Sequence, residues 1–303
     1  MSNTHDISPA RRAAFQVLAG GSAGFLEVCI MQPLDVVKTR MQIQCTPASA
    51  ISAEGTYTGV FDCFAKMYRQ EGIASYWKGL IPPILAETPK RAIKFLVFEQ
   101  TKQFFQFGSP TPTPLTFSLA GLTAGTLEAI AVNPFEVVKV AQQANRQKKM
   151  ISTFQVAREI VNRDGFGLRG LNKGVTATMG RNGLFNMVYF GFYHSVKNVV
   201  PESKDSTWEF LRKVTIGFTA GTLACFFNIP FDVAKSRIQG PQPVPNQIKY
   251  RGTLSSIAIV YREEGFRALY KGLVPKIMRL GPGGAIMLLV FDYAYEYLLL
   301  NHS

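Results

Sequence analysis

Six stretches of the chain, near residues 12–43, 81–105, 115–144, 174–199, 210–238 and 273–299, are twenty or more residues long and mostly apolar. A helix of that length crosses the hydrocarbon region of a membrane. Shorter stretches lie between them: Thr58–Gln70, Thr153–Arg163 and Thr253–Glu263. Their apolar residues recur with helical period, which predicts amphipathic helices lying on a surface. Several long stretches also carry ionisable groups, such as Glu87, Lys90, Arg91 and Lys94 in the second. Facing lipid, such charges would be costly, so they are expected to face a wet interior.

The pattern repeats in thirds. Pro33-Leu34-Asp35-Val36-Val37-Lys38-Thr39-Arg40 returns as Pro134-Phe135-Glu136-Val137-Val138-Lys139 and as Pro230-Phe231-Asp232-Val233-Ala234-Lys235-Ser236-Arg237, at offsets of 101 and 96 residues. Paired glycines precede each proline at one spacing: Gly20 and Gly24, Gly121 and Gly125, Gly217 and Gly221. Small residues four apart are common in membrane helices, but three copies in register define a repeat. Each third is therefore one unit: residues 1–108, 109–205 and 206–303. A second landmark follows in each. Glu71-Gly72 leads to Trp77-Lys78-Gly79, and Glu264-Gly265 to Tyr270-Lys271-Gly272. The middle copy departs, since Asp164-Gly165 reaches Asn172-Lys173-Gly174 with two extra residues and no aromatic before the lysine.

Composition narrows the class. Lys and Arg number 33 against 20 Asp and Glu, yet hydrophobic residues make up 47% and charged residues only 17%. Basic and apolar together do not suit a nucleic-acid binder, and no nucleic-acid partner is expected. They suit a membrane protein with charges in loops and an internal cavity, and the charged cavity accounts for a mean hydropathy of only +0.08. The polar N-terminus, Met1 to Arg12, has no apolar run of the kind a secretory signal needs. Cys29, Cys45, Cys63 and Cys225 show no metal-like spacing, and histidine is limited to His5, His194 and His302. Buried free thiols are the expected state, and neither a metal site nor a cofactor is expected. Gly20-Gly21-Ser22-Ala23-Gly24 sits inside an apolar helix-length run, so it reads as helix packing rather than a phosphate loop. With no nucleophile elbow or dinucleotide fingerprint either, the chain does not read as an enzyme.

These signatures resemble the mitochondrial carrier family over essentially the whole chain. The resemblance implies an all-α membrane protein: six transmembrane helices in three pseudo-symmetric two-helix repeats, with amphipathic helices on the matrix side. It implies the mitochondrial inner membrane, several passes, termini toward the intermembrane space, and a monomer that works by alternating access. Acid and base three residues apart share one helix face, so under threefold pseudosymmetry the acid of one helix can meet the base of the next. The family pattern pairs Asp35 with Lys139, Glu136 with Lys235, and Asp232 with Lys38 as a matrix gate. The plainer alternative makes these charges helix caps or interfacial groups.

At the other end, Phe98-Glu99-Gln100-Thr101-Lys102 matches the family's aromatic-acid-x-x-base motif. His194 replaces the acid in the fourth helix and Tyr295 the base in the sixth. By resemblance the cytoplasmic gate keeps Glu99 with Lys197 and Asp292 with Lys102. The motifs around Trp77-Lys78-Gly79, Tyr270-Lys271-Gly272, Tyr57-Thr58-Gly59 and Tyr250-Arg251-Gly252 match those that bind cardiolipin phosphate in this family.

Arg181 with Asn182, Arg279, and Lys90, Arg91 and Lys94 fall at similar depth, one group per repeat. Guanidinium holds a carboxylate through two parallel hydrogen bonds, so separated arginines with lysines fit a substrate carboxylated at both ends. The alternative is structural: each cation pairs with an internal acid, Glu27 or Glu128. The segments 84–92, 185–193, 236–245 and 279–285 are similar to the branch of the family that exchanges 2-oxodicarboxylates, 2-oxoadipate and 2-oxoglutarate. Carriers of malate and 2-oxoglutarate or of citrate are the alternative.

Overall fold

The computed structural model describes residues 9–45, 56–202, 205–243 and 247–302. Residues 1–8 of the polar N-terminus, with His5, lie outside that set, as do Val244 and Pro245 of the loop after the fifth long helix. Among the described residues all regular structure is helical. Six long helices, α1 (Pro9–Ile43), α3 (Ile81–Phe104), α4 (Pro114–Ala144), α6 (Val175–Val199), α7 (Ser206–Gln239) and α9 (Leu273–His302), alternate in pairs with three short ones. The short helices are α2 (Val60–Glu71), α5 (Thr153–Asp164) and α8 (Thr253–Glu264). Tight 3₁₀ turns at Ile73–Trp77 and Phe266–Tyr270 follow α2 and α8.

The starts and stops have local causes. Thr113 caps α4, accepting from the Thr116 amide and forming a reciprocal box with the Thr116 side chain, and Pro114 opens the first turn. Asp205 caps α7 by accepting from the Thr207 amide at 2.9 Å. Gly72, Gly165 and Gly265 end the short helices at φ of 85°, 77° and 83°, a backbone region that residues with a Cβ seldom adopt. Helices α1, α4 and α7 each continue through their proline. Pro33 has no amide for the Cys29 carbonyl, and the Trp77 indole Nε1 donates to that carbonyl instead, at 3.0 Å.

The doublet after each motif acid explains how the charges are aimed. Val36 and Val37 pack with Tyr57, Cys63 and Met67 of the first repeat. Val137 and Val138 pack with Val156, Ile160 and Leu171, and Val233 packs with Tyr250, Val260 and Leu269. Three equivalent small cores thus clamp each short helix against the end of a long one. Fully burying a valine contributes about 1.5–3 kcal/mol, so each clamp fixes the rotation of its long helix. The acid and lysine flanking the doublet are then turned to the opposite side, toward the bundle axis.

The bundle's flanks are apolar. Phe25, Ile30, Leu127, Phe218, Phe227 and Leu289 all stand exposed on long helices, a belt that suits lipid rather than water. The spans Phe15–Ile43, Pro114–Ala144, Thr207–Gln239 and Phe266–Leu300 are long and apolar enough to cross a membrane. Helices α3, with Glu87, Lys90, Arg91 and Lys94, and α6, with Arg181, Asn182 and Asn186, are less apolar and complete the six.

The paired glycines do not play one role. In the middle repeat they permit a close approach of one helix to the backbone of another: a Cβ on Gly125 would lie 2.5 Å from the Asn182 carbonyl oxygen, and one on Gly121 would lie 2.8 Å from that of Asn186. In the first repeat nothing lies within 4 Å of such an atom on Gly21, and the nearest group to Gly20 is Phe291 at 4.0 Å. A Cβ on Gly24, however, would lie 3.3 Å from the Glu87 side chain of α3, so the expected packing role holds at that end of the Gly20–Gly24 run and more tightly for α4 against α6. Of the thiols, Cys63 and Cys225 are buried, whereas Cys29 and Cys45 are only partly so.

Candidate functional site

At the end carrying the short helices, α1, α4 and α7 converge and their charges meet. Lys139 Nζ lies 2.7 Å from Asp35 Oδ2, Lys38 Nζ lies 2.6 Å from Asp232 Oδ2, and Lys235 pairs with Glu136. Each pair joins one helix to the next, so the three close a ring. A glutamine sits one turn beyond each lysine. Thr39 donates to Gln143 Oε1 at 2.6 Å, Ser236 to Gln42 Oε1 at 2.8 Å, and Gln239 to Asn133 Oδ1 at 3.0 Å. These glutamines brace neighbouring repeats below the ring. Sequence reasoning passed over them, although Gln42, Gln143 and Gln239 recur at the same spacing as the motif itself.

A second tier of cations sits on the ring acids. Arg279 of α9 donates from Nη1 to Asp35 Oδ1 at 2.9 Å and from Nη2 to Glu27 Oε1 at 2.8 Å. Arg181 of α6 reaches Glu136 Oε1 at 3.3 Å and Asp232 at 3.8 Å. Lys276 of α9 lies 2.9 Å from Asp232 Oδ2 and donates to Asn228 Oδ1 at 2.5 Å. Each ring carboxylate therefore meets more than one cation, leaving an excess of positive charge at the floor of the interior. A cavity of about 130 Å³ lies here, lined by Lys38, Glu87, Lys90, Glu136, Arg181 and Arg279 among others. Lys276 was not singled out from sequence, where a lone lysine in an apolar run gives no sign of which helix it will face.

The remaining candidates divide. Lys90 lines the cavity and lies 3.8 Å from Glu87, with its side chain 44% exposed. Arg91 is held by Glu87, with Nε 2.6 Å from Oε1. Lys94 stands over the Phe190 ring, 5.6 Å from its centroid. Asn182 is buried; its Oδ1 accepts from Arg181 Nε at 2.9 Å and its Nδ2 donates to Glu128 at 3.2 Å. It is thus placed between α6 and α4 rather than toward a bound substrate, because the glycines of α4 bring the two helices together there. Of the internal acids expected as alternative partners, Glu27 takes Arg279. Arg181 takes neither Glu27 nor Glu128; its carboxylates come from neighbouring helices.

At the opposite end the expected pairs across helices are not formed. Lys102 Nζ lies 2.5 Å from Glu99 of its own helix. Lys197 and Asp292 have no ion-pair partner among the described residues. The His194 ring stacks on Phe117 with centroids 3.5 Å apart and planes 6° apart, and Tyr295 stacks on Phe291. The bundle is therefore tied at one end by ion pairs and untied at the other.

Beneath the ring two repeats share a buried triad. Arg40 bonds Glu71, Nη2 to Oε2 at 2.8 Å, and Lys78 Nζ meets the same oxygen at 2.5 Å. Arg237 Nη1 lies 2.8 Å from Glu264, and Lys271 Nζ lies 2.6 Å from it. Burial alone would raise the pKa of Glu71 and Glu264; hydrogen bonds from their cations outweigh it and hold both below the usual carboxylate value. The middle repeat has Ala141 where the others have arginine, and Asp164 pairs with its neighbour Arg163 at 2.9 Å.

The family profile for mitochondrial carrier proteins matches this chain three times in succession, over residues 11–109, 111–204 and 206–302. The chain belongs to the mitochondrial carrier family. It is 57% identical to the mitochondrial 2-oxodicarboxylate carrier of Mus musculus, over 98% of each chain. It is 42% identical to mitochondrial 2-oxodicarboxylate carrier 1 of Saccharomyces cerevisiae, over 93% of each. Identity to mitochondrial citrate transporter D of Aspergillus niger is 40%, over 98% of each chain. A mitochondrial carrier is a multi-pass membrane protein, which accounts for the apolar belt, and the three profile matches account for the threefold ring.

Proposed function

We propose that this carrier exchanges 2-oxodicarboxylates, 2-oxoadipate against 2-oxoglutarate, across the mitochondrial inner membrane by alternating access, and that it is a transporter without catalytic chemistry. The observation that carries the dicarboxylate reading is the placement of Arg181 and Arg279 on different helices, each reaching a ring carboxylate and together flanking the cavity. Relatives named for 2-oxodicarboxylates supply the 2-oxo group and the chain length. A substrate carboxylate arriving at either arginine competes with Glu136 or Asp35 for it. Binding then draws a cation from the ring acids and loosens the ring, which couples substrate occupancy to opening. Lys90, Arg91 and Lys94 supply the contact from α3.

In this reading the ring of Asp35, Lys38, Glu136, Lys139, Asp232 and Lys235 is the matrix gate, and Glu99, Lys102, Lys197 and Asp292 form the cytoplasmic gate. The short helices face the matrix and the termini face the intermembrane space. The repeats are residues 1–108, 109–205 and 206–303, the carrier works as a monomer, and cardiolipin binds at the Trp77 and Tyr270 motifs. The assignment is tested in liposomes. Protein loaded with internal 2-oxoglutarate should take up external 2-oxoadipate, with little uptake into empty vesicles. Preference for citrate would transfer the assignment to the tricarboxylate branch suggested by the A. niger relative, and preference for a neutral amino acid would overturn both.

A further inference from the structure

The middle repeat has Ala141 in place of the arginine that lies beneath the ring in the other two. Ala141 lines a cavity of about 1850 Å³ between the end of α4, α5, the loop into α6 and the chain after α7. The cavity walls carry Lys149, Arg169, Lys173 and Arg251, none of which has an ion pair among the described residues. The contrast at one position is direct. Lys78 and Lys271 each meet the glutamate of their triad, whereas Lys173, the equivalent residue, forms no ion pair among the described residues. Asp164 also lines the cavity but pairs with its neighbour Arg163, since the two-residue insertion before Lys173 lengthens the loop. Burial pulls the Lys173 ammonium below the usual lysine range; the charge of Arg163 adds to this, and the Asp164 carboxylate offsets it only in part. A large cavity whose walls carry these four cations without ion pairs, against the acids Glu159 and Asp164, is a place for an anion.

We propose that this pocket binds a soluble polyanion of the polyphosphate class, with Lys173 as its innermost contact and Lys149, Arg169 and Arg251 around it. Unmatched cations outnumber the two charges a dicarboxylate brings, and the volume exceeds what such a small acid fills; closely spaced phosphate groups meet both conditions. The bound anion would tie the end of α4 to the loop before α6, as Arg40 and Arg237 tie the equivalent segments, and so stabilise the ring in its closed form.

The test uses the full-length carrier in nanodiscs of neutral lipid, with inorganic pyrophosphate as the probe and calorimetric titration as the readout. Saturable binding is expected, not displaced by 2-oxoglutarate. It should weaken at least tenfold in Lys173→Gln, which removes the inner contact, and in Arg169→Gln, which removes one of the cations around it. Using both variants separates loss of the site from loss of folding, which a thermal melt of each reports. The proposal is overturned by absence of saturable binding, or by unchanged affinity in both folded variants. Displacement by 2-oxoglutarate would place the probe in the central cavity, and displacement by cardiolipin would make the pocket a lipid site; either result also overturns it.

Discussion

Glu71 accepts hydrogen bonds from two buried cations at once, Arg40 and Lys78, which makes it sensitive to a single change. Truncating one partner of a buried pair costs about 3–5 kcal/mol because it leaves charge uncompensated. Glu71→Ala should therefore lower the melting temperature sharply, while Asp164→Ala, whose pair is exposed, should barely move it. The sign of the pH dependence follows from the depressed carboxylates. A group held low in the folded state contributes stability above its unfolded pKa, near 4.5, and loses it as pH falls through the folded value. Melting temperature should drop as pH is taken below about 4.5, and less steeply in the double variant Glu71→Gln with Glu264→Gln. At Arg181 the geometry sharpens the substrate question, since the guanidinium already serves Glu136. Arg181→Lys keeps charge but loses the planar fork. A lost hydrogen bond to a charged group costs about 1.5–3 kcal/mol, or roughly ten- to a hundredfold in affinity. Exchange by Arg181→Lys should fall by that factor in normally inserted protein; near-normal exchange by Arg181→Ala would remove this residue from the site.

Among the helices, α4 and α6 are set close together, and glycine is the reason. Gly125→Ala would place a methyl group 2.5 Å from the Asn182 carbonyl oxygen and 2.6 Å from Asn186 Nδ2. Backbone atoms cannot yield as a side chain can, so the helices must part, at a cost of about 1–3 kcal/mol. The companion change Gly21→Ala meets nothing within 4 Å and gains helix propensity, up to about 1 kcal/mol. Thermal melts of the pair should move in opposite directions. The glycine spacing was legible in all three repeats, but how tightly each copy is packed was not. Periodicity reports that two glycines share a face, and only the neighbouring helix determines whether that face is crowded.

Taken whole, the molecule is closed at one end by ion pairs between helices and unpaired at the other. In the proposed alternating-access cycle the second set forms when the first breaks, which would move Lys102 from Glu99 of its own helix to Asp292 of α9. Lys102→Asp and Asp292→Lys should each reduce exchange, and the two together should restore much of it, because the swapped pair still attracts. Failure of the double variant to recover, in protein that inserts normally, would remove this pair from the transport cycle. The ring itself cannot be strengthened without cost, since pairs that must break in each cycle work best when each is modest and partly screened.

The helices and their limits could be read from the chain because length, apolar content and proline position act locally, and because three copies of one motif reinforce each other. The same repetition allowed the acid of one helix to meet the base of the next, and the resemblance to the carrier family named the pairs: Asp35 with Lys139, Glu136 with Lys235 and Asp232 with Lys38. Residues without copies were different. Lys276 on Asp232, Asn182 turned onto Glu128, and the void beside Ala141 each depend on which neighbour a helix face meets. A side chain's partner across a bundle is set by the rotation and approach of two helices, and those are fixed by valine clamps and glycine contacts that only the folded structure brings together.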